Sequence, residues 1–106
     1  MPAITPVRLL PANTTAAVLY TVPAGQQAVV NVNACAQAAC KVNIGVGTAS
    51  NPAAADWMEF EFPLSKGGGA LERTQITLPA GSRIYVKSDT ASACAFQLTG
   101  MQEEAV

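Results

Sequence analysis

The side chains in this 106-residue chain that could carry chemistry are three cysteines, seven carboxylates and six aromatics; there is no histidine. A nucleophile–base pair needs an imidazole, an amine or a raised carboxylate within hydrogen-bond reach of Ser, Cys or Thr, and the commonest general base is missing. Glu59 and Glu61 alternate along one predicted strand, about 7 Å apart, a spacing that superficially suits a glycosidase pair. That reaction, however, needs its two acids on opposite sides of a cleft, so both fit solvated outward charges better. No Asp-rich loop adds the further oxygens that Ca²⁺ requires. Gly67–Gly69 follows Lys66 and precedes a strand, the reverse of a phosphate-binding loop, and fits a hairpin tip. Cys35, Cys40 and Cys94 are an odd number for a disulfide framework and too few ligands for zinc. They fit small buried hydrophobes, with a Cys35–Cys40 staple across a hairpin as the other reading. The expectation is a protein without catalytic residues, cofactor or metal.

Two aromatics invite a contact role. Trp57 shares a predicted outward face with Glu59 and Glu61, and Tyr85 shares one with Arg83 and Lys87. An exposed aromatic anchors a protein interface or stacks on a sugar ring. Arg73 and Arg83 are expected to pair with Glu59, Glu61 or Glu72 across strands.

Charged residues make up 12% of the chain and the formal net charge is −1. That is about half the globular share of roughly 25%. Lys66, Arg73, Arg83 and Lys87 form no run, which argues against nucleic-acid binding. A surface of Ala, Thr, Asn, Gln and Ser suits a protein packed against neighbours. The opening Met-Pro-Ala-Ile-Thr-Pro has neither the basic region nor the apolar core of a secretory signal. No stretch approaches the roughly 18 uninterrupted apolar residues of a membrane helix. Synthesis in a cytoplasm and no membrane partner are expected.

These side chains would be positioned by β-strands. Thr21-Val22-Pro23-Ala24-Gly25 recurs in kind as Thr77-Leu78-Pro79-Ala80-Gly81, and each copy closes one alternating apolar run and opens another. Pro pre-sets φ at the second position of a turn and Gly supplies a positive φ, so each copy is expected to close a hairpin. Period-two alternation marks eight strands: 7–10, 17–22, 27–35, 40–47, 57–64, 70–78, 83–88 and 93–101. Inward residues are Ala28, Val30, Val32 and Ala34; Val42, Ile44 and Val46; Met58, Phe60, Phe62 and Leu64; Ile84 and Val86; Cys94, Phe96 and Leu98. Thr48–Asp56 is irregular, with room for one helical turn from Pro52 to Asp56. The pattern predicts an all-β, antiparallel, jelly-roll-like sandwich over residues 16–101. A Pro-rich extended arm, residues 1–15, precedes it, and a loose acidic tail, residues 102–106, follows. The arm, through Val7, Leu9 and Leu10, is expected to lie on a neighbouring subunit.

The stretches Leu19–Val32 and Leu71–Gly81, the second with the following Ile84-Tyr85-Val86, resemble small β-sandwich virion proteins of tailed bacteriophages. The resemblance spans about Leu19 to Leu98 and rests on turn chemistry and strand pattern. It implies a structural subunit, a head decoration (cement) protein on the capsid exterior, which transfers no catalytic residues. Its implied partner is the major capsid protein, with self-association as a homotrimer or homodimer. Val7, Leu9, Leu10, Trp57 and Tyr85 are the interface candidates. A tail, baseplate or fibre module and a glycan-binding sandwich are the alternatives.

Overall fold

A computed structural model describes residues 2–67 and 70–104. Eight strands form two antiparallel sheets. β1 (Val7–Leu9), β2 (Ala17–Thr21), β3 (Gln26–Ala36) and β4 (Cys40–Gly47) make up the first half. β5 (Trp57–Leu64), β6 (Ala70–Leu78), β7 (Arg83–Ser88) and β8 (Cys94–Glu104) make up the second. One sheet runs β1-β8-β3-β6 and the other β2-β7-β4-β5, which is a jelly roll. The chain is in effect one long antiparallel ribbon, β1 on β8, β2 on β7, β3 on β6 and β4 on β5, folded over on itself. Its tip is the 48–56 loop, which holds a single 3₁₀ turn at Ala54–Asp56.

This topology corrects the role of the two Pro-Ala-Gly phrases. β2 and β3 lie in different sheets, as do β6 and β7, so neither phrase closes a hairpin. Each is a corner where one arm of the ribbon passes from one sheet to the other, and both occupy the same corner. Gln26 N donates to Pro23 O and Ser82 N to Pro79 O, so each proline holds the first turn position rather than the second. Gly25 and Gly81 supply the positive φ, +77° and +82°. The corners are tied to each other: Val22 N donates to Ser82 O and Gly81 N to Val22 O. The phrase occurs twice because a two-stranded ribbon needs a turn in each strand at every fold.

Between the sheets lie Val30, Val32, Val42, Ile44, Leu78, Ile84, Val86, Phe96 and Leu98, all buried. Burying one such side chain contributes about 1.5–3 kcal/mol, which is what holds the two layers together. The arm is part of this same domain rather than a neighbour's. β1 pairs with β8, Ile4 N donates to Gly100 O, Gln102 N donates to Pro2 O, and Ile4 is buried. Three prolines keep the segment extended, and the nearest partner for an extended chain is the open edge of β8. At the other end, residues 102–104 are not a loose tail: they continue β8 and pair with Gln26, Gln27 and Ala28. Ala105 and Val106 lie outside the described residues, as do Gly68 and Gly69; the hairpin expected there is not formed, since β5 and β6 belong to different sheets.

Candidate contact surfaces

Tyr85 occupies the outer face of its strand, as alternation requires, yet it is 0% exposed. The 48–56 loop folds over it. Its hydroxyl donates to Ala49 O, and its ring meets Trp57 edge-on with centroids 6.5 Å apart. Arg83 adds a clamp, its guanidinium donating to Thr48 O at 2.6 Å. Two glycines on β4 let the loop come down. A Cβ on Gly47 would meet Asp56 Oδ2 at 2.7 Å and the Tyr85 ring at 2.8 Å. One on Gly45 would meet Asp56 O and the Trp57 ring, both at 2.8 Å. The corner is therefore an internal packing unit, and Tyr85 is no partner contact. Trp57 is half-buried in it. Neither Arg83 nor Tyr85 presents the free face the sequence suggested.

The arm residues divide. Val7 and Leu9 pack against the protein's own core, opposite Leu98 and Phe96 of β8. Leu10, beyond the last pairing, is 43% exposed. Leu10 is the most exposed of the three, while Val7 and Leu9 are half-buried.

The largest departure from the sequence pattern is on β5. Met58, Phe60 and Phe62, expected inward, are exposed, Phe60 at 64%; Leu64 alone of the four is buried. β5 is the outer strand of its sheet and carries extra residues. Val42 faces Phe62 but Ile44 faces Glu59, and Gly45 faces Trp57. Each extra residue shifts the alternation by one and turns side chains to the other face. Glu59 is thereby brought opposite buried Ile44, where it pairs with Arg73 at 2.7 Å. Arg73 comes from β6, the outer strand of the other sheet, so the ion pair bridges the two sheets along their common open side. Glu59 and Glu61 consequently do not share one face.

Both outer strands carry the same device. Glu61 on β5 and Gln75 on β6 have φ of +51° and +55°, the left-handed region. Such a residue withdraws its N–H from the ladder. Asn43 Oδ1 accepts the Glu61 N–H at 2.8 Å, and Asn31 Oδ1 accepts the Gln75 N–H at 3.0 Å. Asn31 and Asn43 lie on β3 and β4, the strands next inward. A kinked outer strand is a poor template for pairing with another sheet edge.

A different surface covers the outer side of the β1-β8-β3-β6 sheet. A hollow of about 300 Å³ there is lined by Asn31, Asn33, Glu72, Thr74, Gln97 and Thr99. Apart from the Glu72 carboxylate and Val32 the lining is neutral amide and hydroxyl. Next to it Val29 and Met101 are exposed. The sequence shows the alternating Asn31 and Asn33, but not that β6 and β8 flank them.

Elsewhere the sheets are tied by single polar contacts. The Tyr20 hydroxyl, on β2, donates to Gln102 Oε1 on β8, and burial raises its pKa. Asp89 accepts the Lys41 N–H at 2.8 Å. That backbone bond is the main reason its carboxyl is held below the usual range. Among the described residues no group of three or more His, Cys, Asp or Glu is placed to hold a metal ion. No helix among them is long and apolar enough to cross a membrane. No protein-family model matches the chain, and no curated protein matches it.

Proposed function

We propose that this protein is a non-enzymatic structural subunit that works through contact: a head decoration protein of a tailed bacteriophage, seated on the capsid exterior and bridging major capsid subunits. The observation that carries this reading is the exposure of Met58, Phe60 and Phe62 on an outer strand of a chain with only 12% charged residues. Apolar side chains on an otherwise polar surface contribute to association when a partner covers them. Bulged outer strands steer that association toward side-chain docking and away from open-ended strand addition. Self-association as a homotrimer or homodimer around a symmetry point of the shell belongs to the same proposal.

The test is co-sedimentation of the purified chain with undecorated phage capsids, comparing the native protein with Phe60→Ser. Saturable binding that the variant loses while keeping its thermal midpoint supports the role. Equal binding of both, or none by the native chain, refutes it. Copy number per purified particle separates head from tail, baseplate or fibre: hundreds of copies point to the head.

The hollow lined by the amides and hydroxyls of Asn31, Asn33, Thr74, Gln97 and Thr99, with the Glu72 carboxylate, favours a second reading, a glycan-binding sandwich. Amides and hydroxyls match a neutral sugar's hydroxyls. Titration with neutral oligosaccharides followed by amide chemical shifts distinguishes the two: saturable shifts confined to β3, β6 and β8 would favour the glycan reading.

A further inference from the structure

The chain gathers its three cysteines at one end of the sandwich. Cys94 opens β8 in one sheet and Cys40 opens β4 in the other, and both are buried in the same core cluster. The β3–β4 connection creates this proximity. Ala36 is paired with Cys94, and the next two backbone amides, Gln37 N and Ala38 N, donate to Ala93 O at 2.7 and 3.2 Å. The chain therefore bends directly over the start of β8 and brings Cys40 to the same end of the core as Cys94. Cys35, exposed, lies on the outer side of the same end, paired in register with Ala95.

The two buried thiols differ in access. Cys40 lines a surface hollow of about 300 Å³ with Ala39, Lys41, Pro63, Leu64 and Asp89. Cys94 is fully buried. We propose that Cys40 and Cys94 are a covalent modification site: a low-molecular-weight aliphatic disulfide entering that hollow converts them to a disulfide that staples one sheet to the other.

The exchange balances in two steps. The Cys40 thiolate attacks one sulfur of the small disulfide, forming a mixed disulfide and expelling a thiolate that takes up the Cys40 proton. Cys94 then gives up its proton and attacks Cys40 Sγ, forming the Cys40–Cys94 bond and expelling the second small thiol, which carries that proton away. Two protein thiols are oxidised and one small disulfide is reduced to two thiols. Burial, with Cys40 and Cys35 beside it, pushes the Cys94 pKa up to about 12. Cys94 therefore resolves the mixed disulfide rather than starting the exchange, and the resolving step is the slower one.

The experiment incubates the folded full chain with 2-hydroxyethyl disulfide and follows intact mass and peptide maps. The expected product has Cys40 and Cys94 in one linked peptide, two hydrogens lighter, and a single mercaptoethanol adduct on the exposed Cys35. Closing a loop of about 55 residues should raise the thermal midpoint by roughly 10–20 °C, reversed by dithiothreitol. Cys35→Ala should form the same Cys40–Cys94 link with no adduct, while Cys94→Ala should stop at mercaptoethanol adducts on Cys35 and Cys40. The proposal is overturned if the folded chain keeps three free thiols, if the linked peptides contain Cys35, or if covalent dimers are the product.

Discussion

Replacing Asn43 with alanine probes how the outer strand of the β2-β7-β4-β5 sheet is held. Asn43 is 4% exposed, and its Oδ1 receives the Glu61 N–H at 2.8 Å. Glu61 sits at φ +51°, a region that costs a side-chain-bearing residue about 1–2 kcal/mol, so its geometry persists only while something compensates. Asn43→Ala removes the acceptor and opens a small void, leaving the Glu61 N–H unpaired. The cost of such an orphaned donor is about 1–3 kcal/mol. For an m-value of about 1.5 kcal/mol/M the urea midpoint should fall by roughly 0.7–2 M with m unchanged. Hydrogen exchange should localise the effect, with the Glu61 amide losing protection before its neighbours on β4. Asn31→Ala should do the same to Gln75 on β6, more weakly because Asn31 is only half-buried. The two losses should add, since the sites lie in different sheets. A midpoint shift in Asn43→Ala below about 0.2 M, with Glu61 protection intact, would show that ladder bonds alone hold the bulge.

Three further perturbations test other parts of the fold. Gly47→Ala forces a Cβ against Asp56 and Tyr85; it should cost about 1–3 kcal/mol and red-shift Trp57 emission as the loop lifts, and an unchanged spectrum would contradict the close packing. Phe96→Ala, in a strand flanked by β1 and β3, should cost about 3–5 kcal/mol, a large part of a domain's total of about 5–15; calorimetry showing a loss below about 1 kcal/mol would place the core elsewhere. Asp89 has a lowered carboxyl pKa in the folded state, chiefly through the Lys41 N–H. Its stabilisation is therefore present above the unfolded value of about 3.9 and lost as pH falls through the lower folded value. Asp89→Asn should flatten the acid limb of a stability–pH curve, and superimposable curves would remove Asp89 from that role.

The open side of the sandwich shows why side-chain exposure was harder to read than the fold. Alternation along Trp57–Leu64 marks a strand correctly, but alternation presumes a regular ladder. Two register shifts break it, and Phe60 turns outward. A bulge depends on which strand lies alongside, and no local pattern states that. Tyr85 presents the complementary case: its outward direction followed from the sequence, and its burial came from a loop of small residues more than 28 positions earlier in the chain.

What the amino-acid order determined by itself was local: where each strand runs, because side-chain polarity alternates with the pleat, and where the chain must turn, because Pro-Ala-Gly resists continuing a strand. Strand limits from Cys40 to Ser88 follow those signals residue for residue. What only the tertiary structure decided was adjacency. The two similar turns are sheet-crossing corners bonded to each other, the proline-rich arm pairs with β8, and Cys40 and Cys94 enter one core cluster from different sheets. These contacts join residues tens of positions apart. Their selection depends on how all eight strands bury their apolar faces together, a condition that no single segment encodes.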